Sequence, residues 1–250
     1  MRMQRGRVRI EPTRKRIRAY LGSEAVADTK KALLVWESPY YPTYYIPAED
    51  VRTELLTPSG ETRNSPSRGQ AHIFNVKTDT KEAPGAAWTY PEPEIEELRG
   101  YFRFDWRAMD AWFEEEEEVF VHPRDPYTRV DILRGSRHIE VYIDDVKLAD
   151  TQQPTVLFET GLPTRYYIPK TDVRMDLLTP TSTSTSCPYK GDASYWTANV
   201  NGKDHPDIVW SYKHPVHESA KIAGLLSFYN EKVDVYVDGE IEERPRTPFS

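Results

Sequence analysis

Cysteine is almost absent from this chain: Cys187 is the single one among 250 residues. An internal disulfide framework and a multi-cysteine zinc site are thereby excluded, and the usage agrees with a reducing, cytoplasmic compartment. Long apolar runs are missing too. No window approaches 18 uninterrupted apolar residues, and no apolar stretch follows the positive N-terminus, so neither a membrane span nor a signal peptide is expected. Glycine is scarce at 12, against 20 prolines and 16 tyrosines, a balance that points to many turns and short strands rather than long helices. Net positive charge is also lacking. At −7 the chain is poorly suited to generic phosphate-backbone binding. Its first eighteen residues do carry Arg2, Arg5, Arg7, Arg9, Arg14, Lys15, Arg16 and Arg18 against one acid, Glu11. That arm reads as a solvated terminus, and nucleic acid is not an expected partner. What remains is globular: 38% hydrophobic with 12% aromatics, and mainly β.

The dominant feature is internal repetition. A shift of 122 places Tyr44-Tyr45-Ile46-Pro47 on Tyr166-Tyr167-Ile168-Pro169, Asp50-Val51-Arg52 on Asp172-Val173-Arg174, and Leu55-Leu56-Thr57-Pro58 on Leu177-Leu178-Thr179-Pro180. The same shift aligns Glu37 with Glu159, Gly69 with Gly191, Trp88 with Trp210 and Tyr90 with Tyr212. Beyond Pro93 it slips to 124, pairing Gly100 with Gly224 and Phe104 with Phe228, and then to 116 at Val121 and Val237. The extra length of the first copy holds residues 106–113 and the acidic run 114–118. Met109, Trp112 and Phe113 fall at helical spacing, so a short helix inserted in the first copy is expected, with the acids solvated.

Two domains follow: a basic arm over 1–15, a first repeat over 16–121, a linker over 122–137, a second repeat over 138–240 and a tail over 241–250. About eight strands per copy are expected. In the second copy these include a hairpin from Ile139 to Leu148 turning at Asp144-Asp145, and strands over 155–158, 173–178, 193–200, 208–212, 222–228 and 233–237. The proline-bounded polar run 180–188 reads as loop.

The string Cys187-Pro188-Tyr189-Lys190-Gly191, preceded by Tyr167-Ile168-Pro169 and Asp172-Val173 and followed by Trp210-Ser211-Tyr212, closely resembles the signature of the bacterial and fungal family called domain of unknown function 427. The resemblance spans nearly the whole chain, in full in the second copy and degraded in the first, as in the tandem members seen in actinobacteria. It implies two tandem β-tent (Mss4-like) domains, each with two antiparallel sheets leaning together over a pocket. Methionine sulfoxide reductase B, the thalidomide-binding domain of cereblon and the Mss4 exchange-factor group share that fold. The resemblance implies no activity. Several of those relatives hold zinc through paired cysteines that this chain lacks, so no metal or cofactor is expected.

The first copy serves as a control for the second. It replaces Cys187, Tyr189 and Lys190 by Ser65, Ser67 and Arg68 but keeps the glycine, the tryptophan and the glutamate. Gly69 and Gly191 are expected at positive φ, and Trp88 and Trp210 in cores. Glu37 and Glu159 each end an apolar strand, where a carboxylate needs a partner: Arg68 or Arg52 in the first copy, Lys190 or Arg174 in the second. A salt bridge locking the sheet and a pocket acid are both open readings. Tyr167, Tyr189, Trp210 and Tyr212, with Lys190 and Glu159 as polar groups, compose the expected aromatic-lined pocket for a small molecule in the second copy. One alternative is an enzyme in which Cys187 is nucleophile or redox thiol, Lys190 its activating cation and Glu159 the general acid or base. Another is a protein-interaction module. His214 and His217 have a metal-compatible spacing but are only two ligands. Nucleotidyl transfer finds no support, since no glycine-rich phosphate loop or pair of metal-binding aspartates stands out.

Overall fold

A computed structural model describes residues 8–247 and Ser250, so Arg2, Arg5 and Arg7 of the basic arm lie outside the described residues. The chain divides into two units, 1–125 and 126–250. Among the described residues each has eleven strands in antiparallel sheets, and the only helical segments are short 3-10 turns.

The first unit runs β1 (Arg9–Pro12), β2 (Ile17–Leu21), β3 (Glu24–Thr29), β4 (Leu33–Trp36), β5 (Thr43–Pro47), β6 (Leu56–Ser65), β7 (Gly69–Lys77), β8 (Glu82–Thr89), β9 (Tyr101–Phe104), β10 (Ala111–Glu114) and β11 (Glu117–Glu118). Seven of these form a sheet in the order β1-β4-β5-β9-β8-β7-β6, and four form a smaller one, β11-β10-β2-β3. The second unit repeats the series as β12 (Val130–Arg134), β13 (Ile139–Ile143), β14 (Val146–Thr151), β15 (Thr155–Glu159), β16 (Arg165–Tyr167), β17 (Leu178–Cys187), β18 (Gly191–Val200), β19 (Lys203–Pro215), β20 (Ser227–Phe228), β21 (Asp234–Val237) and β22 (Glu240–Ile241). Here the large sheet comes as two pieces, β12-β15-β16 and β17-β18-β19-β20. Ile168 and Leu226 join them by exchanging backbone hydrogen bonds of 2.7 and 2.9 Å, at the place where Ile46 pairs Phe102 in the first unit.

Alternation in the sequence dictates the small sheets. Ile-Arg-Ala-Tyr-Leu in β2 and Ile-Glu-Val-Tyr-Ile in β13 both bury every second residue. Their hairpins turn at Gly22-Ser23, with φ of 58° and 68°, and at Asp144-Asp145, with 45° and 63°; two consecutive left-handed residues match the twist of a tight hairpin. The large sheet is covered on both faces. Successive residues of β4 and β5 alternate between two clusters: Leu34, Tyr44 and Ile46 join the core with Ile17, Ala19 and Leu21 of the small sheet, while Val35 and Tyr45 join Ile73, Trp88, Tyr90 and Leu98 on the opposite face. The second unit repeats this, with Tyr166 and Ile168 in the inter-sheet core and Tyr167, Trp210 and Tyr212 opposite. That opposite face, on which Glu37 and Glu159 converge, is where the conspicuous residues of the sequence gather.

Several expectations are corrected. Residues 106–113 make one 3-10 turn, Trp106–Ala108, and then strand β10 rather than a helix. Asp105 caps the turn by accepting from the Arg107 amide, and β10 is drawn out by pairing with β2. Trp106 and Trp112 stack at 5.0 Å, so apolar spacing that suits a helix is used here by a folded-back strand. The acids that follow are partly engaged with the basic stretch: Lys15 pairs with Glu114 at 2.5 Å and Arg18 with Glu116 at 2.9 Å. Run 180–188 is not a loop, because β17 passes through Pro180 with a bulge before Ser184. As the edge of its sheet it can place a proline where no ladder donor is needed and expose alternate threonines and serines. Segments 173–178 and 222–228 are mostly 3-10 turns and bridges, with strand only at Leu178 and Ser227–Phe228. Finally, the arm contains β1 and the span 122–137 contains β12. Each completes the far side of the strand that leads to the glutamate, β1 on β4 and β12 on β15.

Candidate functional site

In both units the degenerate or complete motif is the three-residue turn of a hairpin. Ser65 pairs Gly69 across the end of β6-β7, and Cys187 pairs Gly191 across β17-β18. Both glycines are left-handed, with φ of 93° and 96°, as expected. A Cβ would meet the carbonyl oxygen of Glu92 at 3.0 Å in the first unit and of His214 at 3.2 Å in the second, so the turn is pressed against the next strand's exit. That contact is hydrogen-bonded: Arg68 O accepts from the Glu94 amide at 3.1 Å, and Lys190 O from the Val216 amide at 3.2 Å. The turn therefore holds the cation preceding the glycine against the outer face of the large sheet.

In the second unit, Lys190 Nζ reaches Glu159 Oε2 at 2.5 Å, and their side chains are only 10% and 9% exposed. Lys190 is thus the partner that Glu159 needed; Arg174 instead pairs with Asp176. Tyr167 Oη accepts from Trp210 Nε1 at 3.2 Å, and their rings meet edge to face. Tyr167, Trp210 and Tyr212 are all buried, and burial, the largest influence on each phenol, pushes Tyr167 and Tyr212 well above the ordinary tyrosine range. Tyr189 is half-buried, and its carbonyl accepts from Ser219 Oγ at 2.8 Å. Cys187 is half-buried and packs at the margin of the aromatic cluster. The ammonium expected to activate its thiol is engaged by Glu159.

Two residues that the sequence reading did not single out complete this unit. Arg165 and Glu231 form a buried fork at 2.6 and 2.7 Å, with Asn230 Oδ1 accepting from Arg165 and Thr247 Oγ1 donating to Glu231. Burial would raise the Glu231 carboxyl, but the Arg165 fork and the Thr247 hydroxyl outweigh it and hold the group below the usual carboxylate range. Arg165 also lies 5.4 Å over the Trp210 ring, and Tyr229 packs on the same ring at 4.5 Å. The tail contributes here through Thr247, and through Glu242, which accepts from Tyr166 Oη at 2.6 Å.

The first unit uses the same frame with different chemistry. Glu37 accepts from Tyr45 Oη at 2.6 Å and is flanked by Arg103 at 3.2 Å and Arg68 at 3.6 Å. Arg52, the other expected partner, pairs with Glu24 and Glu54. Burial, then the adjacent Glu37 carboxylate, pushes the Tyr45 phenol well above its ordinary range. Arg103 stands 4.2 Å over the Trp88 ring and the exposed Arg63 5.4 Å over it. These side chains border an open cleft of about 440 Å³ whose lining includes Glu37, Arg63, Arg68, Trp88, Tyr90 and Arg103. The pocket was expected in the second unit, where Tyr167, Lys190, Trp210 and Tyr212 instead bury one another. A smaller cleft of about 300 Å³ on that unit is lined by Pro163, Thr164, Asn230 and tail residues, away from the motif.

Registers show what was exchanged. Trp88 pairs across the sheet with Arg103, and Trp210 pairs with Ser227. By the repeat alignment Arg63 corresponds to Thr185, Arg68 to Lys190 and Asp105 to Tyr229. Charges present in one copy alone were the available signal for Arg63 and Arg103. A separate group, His138, Glu140 and Asp150, brings possible metal ligands together, but the Lys147 ammonium already bonds both carboxylates at 2.5 and 2.7 Å. His214 and His217 are exposed and do not belong to that group.

Comparison with known proteins returns one family. The model described as Domain of unknown function (DUF427) matches residues 9–115 and again 131–239. No curated protein matches the chain.

Proposed function

Since the chain belongs to the family described as Domain of unknown function (DUF427), whose description carries no activity, we propose from its own geometry that it is a small-molecule-binding protein whose ligand sits on the outer face of the first unit's large sheet. The observation that carries this is the cleft of about 440 Å³ over Glu37 and Trp88. Its volume lies within the range of metabolite pockets, and its walls combine an aromatic floor with a few fixed polar groups. Tyr45, Arg68 and Arg103 fix the Glu37 carboxylate, so the polar groups are preorganised before a ligand arrives. The second unit supports the same frame in closed form: Lys190 is paired with Glu159, Trp210 donates to Tyr167, and Tyr212 is buried beside them. The expected pocket there would require the Lys190 to Glu159 contact to open.

A thermal-shift screen against a few hundred metabolites tests this, run on the native chain, on Arg68→Gln and on Lys190→Gln. A ligand at 100 times its dissociation constant adds about 2.7 kcal/mol, or a few degrees. The expected compound stabilises the native chain and Lys190→Gln but not Arg68→Gln. A compound lost only in Lys190→Gln would move the site to the second unit, and a screen in which nothing shifts the native chain would remove the binding reading.

A further inference from the structure

The class of ligand can be argued from charge and hydrogen bonding at that cleft, an inference that rests on the reading of it as a small-molecule site. Three guanidiniums line it, Arg63, Arg68 and Arg103, against two carboxylates, Glu37 and Asp105. The guanidiniums outnumber the carboxylates, and Glu37 is already engaged by two of them. Glu37 is held by Tyr45, Arg103 and Arg68, and Asp105 accepts from the Arg107 amide. The donors, by contrast, are in surplus. Arg63 is exposed, stacks over Trp88 and has no carboxylate partner among the described residues. Arg103 directs one nitrogen at Glu37, while its buried Nε finds no acceptor. Tyr90 Oη accepts from Arg68 Nε at 3.1 Å, which leaves its own proton to donate. Two guanidiniums lie over one indole at 5.4 and 4.2 Å, and the planar guanidinium fork fits the paired oxygens of a carboxylate or phosphate. An anion matches both the surplus of donors and the excess of positive over negative side chains in the lining.

We propose that the first unit's cleft binds a metabolite-sized oxyanion, its carboxylate or phosphate oxygens gripped by Arg63 together with Arg103 and Arg68. The second unit lacks this arrangement: Thr185 takes the place of Arg63 and bonds Tyr195 Oη, Ser227 takes that of Arg103, and Lys190 is closed onto Glu159. One oxyanion per chain is therefore expected, not two.

Calorimetric titration at low salt with citrate and, separately, with inorganic pyrophosphate tests the class and distinguishes its carboxylate and phosphate forms. The native chain should bind at least one of them with a stoichiometry of one. Arg63→Gln, an exposed substitution that should leave the unfolding transition unchanged, should weaken that binding about tenfold, and Arg63→Lys, which keeps charge but loses the fork, about threefold. Heat from citrate alone assigns carboxylate, and from pyrophosphate alone, phosphate. The proposal falls if neither anion binds, if two bind per chain, or if Arg63→Gln binds as tightly as native. Should neither anion bind while a neutral compound from the screen is lost in Arg68→Gln, the oxyanion class falls and the cleft remains a binding site. If no compound of any kind binds, both readings fall together.

Discussion

Over Trp88 in the first unit lie two guanidiniums and open space, whereas over Trp210 in the second lie Tyr229 and an arginine locked into a buried fork with Glu231. The strand order, the positive-φ glycine of the turn and the carboxylate at the end of the second large-sheet strand in sequence are common to both. One backbone thus supports two outcomes, an electropositive cleft and a closed aromatic cluster. The exchange of few side chains decides between them: Arg103 for Ser227, Arg63 for Thr185, Asp105 for Tyr229 and Thr43 for Arg165. A guanidinium supported from one side by indole needs solvent or an anion on the other, while a tyrosine stacked on the indole needs neither. The lesson is that the sheet face is a platform, and that the degraded motif need not mark the idle copy.

The contrast can be broken most severely at the second unit's fork. Arg165→Met leaves Glu231, whose side chain is fully buried, without its counter-charge, and should cost about 3–5 kcal/mol. Denaturation followed by near-ultraviolet signals should then show the second unit melting separately and earlier, and coincident, unchanged transitions would refute the energetic weight assigned to the fork. Next in size is the cation at the motif. Lys190→Met strands a Glu159 side chain that is 9% exposed and should cost about 3 kcal/mol. Arg68→Met leaves Glu37 with Arg103 and Tyr45 and should cost about 1 kcal/mol, so equal losses in urea titrations would argue against the difference in closure.

Alanine at either glycine of the turn sharpens the comparison from the other side, because here the units should agree. Gly69→Ala and Gly191→Ala both impose a left-handed backbone and a Cβ against a carbonyl oxygen, and each should cost roughly 1–3 kcal/mol. A large loss in one and none in the other would mean the frames differ more than their registers indicate. The smallest effect is a dependence on acid. The Glu231 carboxyl is depressed in the folded state, so its contribution is present above the unfolded carboxylate range near about 4.3 and is lost as pH falls through the folded value. The second unit should therefore lose stability below about pH 4 by a component absent from Arg165→Met. Identical acid profiles for the native chain and that variant would deny the linkage.

Much of the fold was legible before the structure. Internal repetition exposed the tandem units, the alternating Ile-Glu-Val-Tyr-Ile pattern marked β13, and a carboxylate after an apolar strand called for a cationic partner, Lys190 or Arg174, of which the structure selects Lys190. The failures share a cause. Segment 106–113 has apolar spacing compatible with a helix or a strand, and only pairing with β2 decides between them. Pro180 argued for a loop, yet an edge strand tolerates proline, and being at the edge is a property of the sheet order rather than of the segment. Residues 9–12 and 130–134 looked like arm and linker because edge strands are short and half-polar.

The sequence by itself determined that there are two related β units, where their repeat lies, and which carboxylate, cation, glycine and tryptophan recur, since repetition and burial cost are written into residue types and spacings. Tertiary structure alone decided which unit is open. Arg103 and Arg165 are separated from their tryptophans along the chain, and only the pairing of β9 with β8, and the joining of β16 to the second unit's large sheet beside the turn after β20, determines whether a guanidinium ends in a cleft or in a buried fork. Side-chain placement across strands depends on register, and register is set by the whole sheet.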